Sequence, residues 1–179
     1  MMRGARLYAM RALVLAIAVV VFAPPAHADV LKVGDRLAEL DIAVDGNGKS
    51  VKLKSYKGQW VLVTVGAQWC IPCRKELPTW DKLAGELKGK ITFIAINVDD
   101  DIADGKKFNK DLKLKNMTLV YMPADKSAVV ARYGADTMPS SFIADPKQVV
   151  KLVKEKFDLR DAGGEYKKLK AALDKLGIK

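Results

Sequence analysis

Gly66-Ala67-Gln68-Trp69-Cys70-Ile71-Pro72-Cys73-Arg74-Lys75-Glu76-Leu77-Pro78 (GAQWCIPCRKELP) holds the only two cysteines of a 179-residue chain, three positions apart. A structural staple, a metal clip and a redox couple each predict different surroundings for such a pair. A bridge across so small a loop constrains the unfolded chain little, so the pair makes a poor staple. A closed zinc site needs four Cys or His ligands, and the sole histidine, His27, lies in the N-terminal segment discussed next. Thiolates suit Cu(I), yet no accessory histidine or methionine pair stands near in sequence. Chemistry at the sulfurs remains, and no metal or cofactor is called for.

Residues 1–28 read as a signal peptide. Arg3, Arg6 and Arg11 precede a twelve-residue apolar run, Ala12 to Ala23, and Ala26-His27-Ala28 supplies a small-residue cleavage pattern. The run is short of the ~20 residues that span a bilayer. Cleavage after Ala28 leaves residues 29–179 as one domain, placed in the periplasm or another extracytoplasmic space. Without those three arginines, 28 cations stand against 21 acids, a net charge of +7. Export makes nucleic acid a poor partner for that charge. A solvated lysine-rich surface explains it, with attraction to anionic lipid or an acidic partner as the sharper alternative.

Around the cysteines, strand and helix patterns alternate. Trp60 to Val65 and Ile91 to Val98 are continuous β-prone runs, as in strands buried on both faces. Leu77, Trp80, Leu83, Ala84 and Leu87 recur at helical spacing behind Cys73, with Pro78 expected to kink that helix. A helix is expected around Ala103–Leu112, a short strand at Thr118–Tyr121, and a helix over Ser127–Tyr133 stopped by Gly134. Hairpins are expected at both ends of the pattern. Leu40–Val44 and Val51–Leu53 flank Asp45-Gly46-Asn47-Gly48, and Ser140–Ala144 and Val149–Phe157 flank Asp145-Pro146-Lys147-Gln148. Tyr166, Leu169, Leu173 and Leu176 mark a closing amphipathic helix. The whole implies an α/β sheet with helices on both faces.

Cys70 falls where a buried strand turns into a helix. Free N–H groups and the helix dipole favour a thiolate there, which lowers the thiol pKa and makes Cys70 nucleophilic. Cys73 is placed one turn inward, within reach of a mixed disulfide on Cys70. Pro72 fits the first turn, where its missing N–H costs nothing. Trp69 sets a bulky ring beside Cys70 that can shield the thiolate and contact a partner.

With Met138-Pro139 before a late strand, these features resemble the thioredoxin fold. The run Trp69 to Pro78, the front hairpin and the Ala103–Tyr121 insertion are similar to exported TlpA/ResA-type thiol–disulfide oxidoreductases. The resemblance implies a thioredoxin fold with an N-terminal β-hairpin extension and a central helix-strand insertion. It makes Cys70 the attacking and Cys73 the resolving cysteine of a redox-active disulfide. It makes Pro139 a cis-proline facing the sulfurs, with Met138 offering backbone to substrate. It further implies a monomeric reductase of protein disulfides, recharged by a membrane-bound electron donor and serving cytochrome c maturation.

Glu76 corresponds to a carboxylate that moves protons in part of this family, the alternative being a solvated helix glutamate. Relatives with a buried acid on the preceding strand have it where this chain has Thr64. Gly66, where many relatives have an aromatic, is expected to open space beside the motif. Asp99-Asp100-Asp101 reads as a solvated loop. Rival functions are a disulfide-forming oxidase of the same fold, a copper-binding thiol module, a thiol peroxidase and a redox-silent interaction domain.

Overall fold

The computed structural model describes residues 29–179, so the expected signal peptide and its cleavage site lie outside the described residues. Five strands form one mixed sheet in the order β3-β2-β1-β4-β5. They are β1 (Trp60–Gly66), β2 (Ile91–Asn97), β3 (Thr118–Tyr121), β4 (Ser140–Ala144) and β5 (Val150–Glu155). The first three are mutually parallel, while β4 is antiparallel to β1 and to β5. The central β1 is buried from Val61 onward, which is why its sequence shows no polar alternation.

Among the described residues α1 (Cys73–Glu86), α2 (Ile102–Asp111) and α3 (Val129–Arg132) connect strands, and α4 (Ala162–Lys175) follows β5. Leu77, Trp80, Leu83 and Ala84 of α1 pack with Phe108, Leu169 and Leu173 against Leu62, Phe93 and Ile143. Val61, Val63, Val65 and Phe142 face the opposite cluster, with Val130, Tyr133 and the chain from Leu31 to Leu53. Helices do cover both faces, but the second is covered mainly by the N-terminal segment around the single turn of α3. α1 runs unbroken through Pro78.

The strands, the second hairpin and the closing helix fall where the hydrophobic pattern puts them. The front hairpin is much reduced. Its turn forms, with Asp45 Oδ1 accepting from the N–H groups of Asn47 and Lys49 at 2.8 and 2.9 Å. Beyond the turn the pairing is limited to Val44 with Ser50, the Asp45 N–H on the Lys49 carbonyl and the Val51 N–H on the Ala43 carbonyl. On its other side Val44 pairs with Tyr121 at the end of β3 (2.8 and 3.0 Å), and Leu53 starts a 3-10 turn. A two-stranded ribbon is marginal by itself, and the contact with Tyr121 anchors this one to the sheet edge through the N–H and carbonyl of Val44 that the hairpin leaves free.

Gly105 in α2 lies against the end of β2. A Cβ there would stand 2.0 Å from Asn97 Oδ1, and Asn97 is buried and bonded to Asp99 through both amide atoms. Gly→Ala gains up to ~1 kcal/mol in a free helix, whereas overpacking costs about 1–3 kcal/mol. Gly105→Ala is therefore expected to destabilise the protein, read as a lower urea midpoint. An unchanged or raised midpoint would contradict this packing.

Candidate active site

β1 delivers the chain to the cysteines with its α1-facing side chains pared down. Leu62, Thr64 and Gly66 alternate on that face. Gly66 does not open a space. A Cβ there would lie 3.1 Å from Leu77 Cδ1 and 3.6 Å from Cys73 Sγ, so its bareness lets the helix start close in. The turn after it is tied by Cys70 N–H to the Ala67 carbonyl (3.1 Å) and Cys73 N–H to the Cys70 carbonyl (3.1 Å).

The two sulfurs are bonded to each other. Cys70 lies in the turn before the helix rather than in it, and Pro72 is the N-cap rather than a first-turn residue. The N–H of Cys73 points at Cys70 Sγ at 3.2 Å. That sulfur would carry the charge in the dithiol state, where a charge-assisted N–H bond favours an anion. Cys70 keeps 5% of its surface and Cys73 none. One sulfur is at the rim and the other beneath it.

The peptide bond Met138-Pro139 is cis. The β1–β4 register, with Val65 opposite Ser140, sets Pro139 level with Gly66 and hence at the sulfur end of the sheet. Half-buried Met138 packs on the cluster that contains both cysteines, with its backbone extended at φ −51°, ψ 147°. Trp69 and Ile71 flank Cys70 with 63% and 68% of their surface exposed. Apolar groups of that size left in water beside the sulfurs suit contact with another molecule.

Glu76 is wholly buried, so the solvated-glutamate alternative fails. Thr64 Oγ1 lies 3.2 Å from Glu76 Oε2 and Ser141 Oγ lies 3.1 Å from Oε1. Trp80 Nε1 in turn donates to Ser141 Oγ at 3.3 Å. Thr64 and Ser141 are direct cross-strand partners, which is why both hydroxyls converge on one carboxyl. Burial pushes the Glu76 carboxyl up to about 7, against the lowering pull of Trp80, Ser141, Thr64 and the more distant Lys154 charge. Thr64 Oγ1 also lies 3.2 Å from the Ser140 carbonyl. It can donate to an ionised Glu76 or, when Glu76 holds the proton and donates it, turn to that carbonyl. The network has a place for the proton in both states.

Asp99, expected in a solvated loop, is buried. Its carboxylate accepts from Gln68 N–H at 3.1 Å and from Asn97 Nδ2 at 2.8 Å. Arg74 donates to the Gln68 carbonyl at 2.8 Å from the other side. The turn before Cys70 is thus clamped from both ends. Sequence reasoning missed this role because a clamp between β2 and the first turn is purely tertiary.

The AhpC/TSA family model matches residues 33–153. The chain is 32% identical over 106 residues to the thiol-disulfide oxidoreductase ResA of Bacillus thuringiensis subsp. konkukian, across 58% of this chain and 59% of that protein. The chain therefore matches about three-fifths of that relative's length. The thioredoxin domain of a thiol-disulfide oxidoreductase from Bacteroides vulgatus is similar with a TM-score of 0.63 at 26% identity, covering 78% of this chain and 98% of that one. An exposed lipoprotein thioredoxin from Streptococcus pneumoniae is similar with a TM-score of 0.57 at 25% identity, covering 73% and 99%. The sheet and its helices are a thioredoxin fold.

In the disulfide form no thiol titrates, so Glu76 can be read alone. Its folded pKa of about 7 stands above the unfolded value of 4.5. The folded state thus holds a proton that the unfolded chain releases, and stability falls as pH rises from 4.5 to 7. The loss is about 3 kcal/mol, the value of such a shift. Urea unfolding of the oxidised protein at pH 5 and pH 8 should show this component in wild type and lack it in Glu76→Gln. Equal pH dependence in the two proteins would contradict it.

Proposed function

The chain belongs to the AhpC/TSA family, and on that footing we propose that it is an exported thiol–disulfide oxidoreductase that reduces disulfides of other proteins. The observation that carries the reading is the stacking of three groups along the start of α1. The Cys70 sulfur accepts the Cys73 N–H, Cys73 lies beneath it, and one turn on a buried carboxyl stands poised near neutrality. The names of the ResA relative and the Bacteroides domain support the same chemistry.

The cycle starts from the dithiol. The Cys70 thiolate attacks one sulfur of a substrate disulfide, forming a mixed disulfide and expelling the other substrate sulfur as a thiolate. Cys73 then loses its proton to the ionised Glu76, and its thiolate attacks Cys70 Sγ. The second substrate sulfur leaves with the bonding pair. The substrate has gained two electrons, and the protein ends with the Cys70–Cys73 bond seen in the structure. A carboxyl near 7 suits this step because a base works best close to the ambient pH. In the reverse step, when the protein's disulfide is opened again, Glu76 returns the proton to the Cys73 sulfur.

Trp69, Ile71 and the extended backbone at Met138, which the cis Pro139 follows, offer the substrate segment an apolar edge and a strand-like partner. The basic and apolar pattern of residues 1–28 supports export. The TlpA/ResA-type resemblance supports a monomer, a membrane-bound electron donor and substrates from cytochrome c maturation. Thiol peroxidase chemistry would need a threonine or arginine at the reactive sulfur. Here Thr64 is engaged by Glu76, and Arg74 is engaged by the Gln68 carbonyl and the Phe108 ring.

Dithiol-loaded protein should reduce insulin, and Cys70→Ser should not. No activity above that variant would remove the proposal. Glu76→Gln should slow exchange on the order of 10²-fold and erase the limb of the pH–rate profile near 7, with the fold intact by circular dichroism. Superimposable profiles would retire Glu76 as the base. Cys73→Ala should accumulate mixed disulfides on Cys70, from which partners can be identified by mass spectrometry.

A further inference from the structure

A groove of about 610 Å³ runs between α1 and α4. Pro78 and Tyr166 wall it, and Arg74, Lys75, Lys82 and Lys167 supply its only charges among the described lining residues. Nearby acids are already engaged. Glu86 accepts from the Tyr166 hydroxyl, Asp161 caps the Gly164 N–H at 2.8 Å, and Glu165 is buried between Lys154 and Lys168. Lys82 lies over the Tyr166 ring at 5.1 Å, which leaves its ammonium in the groove without a carboxylate partner there.

The groove is tied to the sulfurs by topology. α1 leaves the end of the sheet at which β1 finishes. β5 is antiparallel to β4, so it runs back toward that same end before α4 begins. Both helices therefore start beside the cysteines, and the groove opens there, with Arg74 and Lys75 directly after Cys73. Arg74 is held by the Gln68 carbonyl and the Phe108 ring, so the free rim runs from Lys75 to Lys82, about 10 Å of helix, the reach of about three extended residues.

We propose that this groove docks an acidic segment of the protein whose disulfide is exchanged at Cys70, its carboxylates on the basic rim and an apolar side chain against Pro78 and Tyr166. The proposal rests on the reductase reading and adds to it the class of partner. Charges at such a rim act chiefly through encounter rate and partner choice. Selection should therefore be strong at low ionic strength and screened by salt.

The test uses two short disulfide-linked peptides that differ only in carrying three Glu or three Gln beside the cysteine, with neutral hydroxyethyl disulfide as control. At low salt the reduced protein should exchange with the Glu peptide about tenfold faster than with the Gln peptide. The ratio should fall to about one in the triple variant Lys75→Glu/Lys82→Glu/Lys167→Glu and in about 0.5 M NaCl. The hydroxyethyl disulfide rate should not move. All three lysines are exposed, so the variant should fold. Equal rates for the two peptides, or a preference that the variant keeps, would overturn the proposal. A fluorescent Glu peptide without cysteine should bind wild type and not the variant. That binding decides the groove even if no disulfide is exchanged, an outcome that would sink the reductase reading alone. Binding to phosphatidylglycerol vesicles that the variant loses, with peptide exchange unmoved, would assign the groove to a lipid surface and overturn the proposal.

Discussion

Glu76 stands one turn into α1 with no exposed surface, and the groups that bond to its carboxyl are the neutral side chains of Thr64 and Ser141. Ionising a carboxyl in such a place costs desolvation energy that hydroxyl bonds return only in part. A fully paired carboxylate would be held ionised, and one without bonds would stay protonated throughout. With two hydroxyls, an indole that braces one of them and Lys154 at a distance, the group sits near 7. In the proposed cycle that balance lets the buried carboxyl accept a proton at neutral pH and return it, and side chains from β1 and β4 surround it.

Room for that carboxyl comes from β1. On its α1 face a threonine and a glycine replace the larger apolar residues that fill the opposite face. Thr64 gives Glu76 a hydroxyl, and Gly66 gives Cys73 the space to pack at van der Waals distance. β4 contributes Ser141 to the same network and, just before its first residue, the cis proline level with Gly66. Asp99 reaches across from the end of β2 to hold the turn. Every strand flanking β1 thus supplies a part, and the sulfurs are placed by the sheet rather than by their own loop.

The central strands, the four-residue β3 and the amphipathic helices were legible because each rests on a periodic apolar pattern that burial enforces. The cysteine pair and the cis proline were legible through local motif and resemblance. Glu76 was only half legible. Its position on the helix could be counted, yet whether Arg74 and Lys75 or the sheet would face it depended on α1's rotation. Thr64, noted only as lacking an acid, proved to be that acid's partner. Asp99 and Gly66 were misread for one reason: their neighbours come from distant segments, and no local pattern encodes them. The contact of the front hairpin with Tyr121 was hidden for the same reason.

The buried proton is the claim on which the chemistry stands, and carbon-13 NMR of the Glu76 carboxyl in the disulfide-bonded protein reads it directly. The account expects that signal to titrate with a midpoint of about 7, well above the ordinary 4.5. A midpoint at the ordinary carboxylate value would mean that Glu76 is ionised throughout the working range, and it would contradict the account.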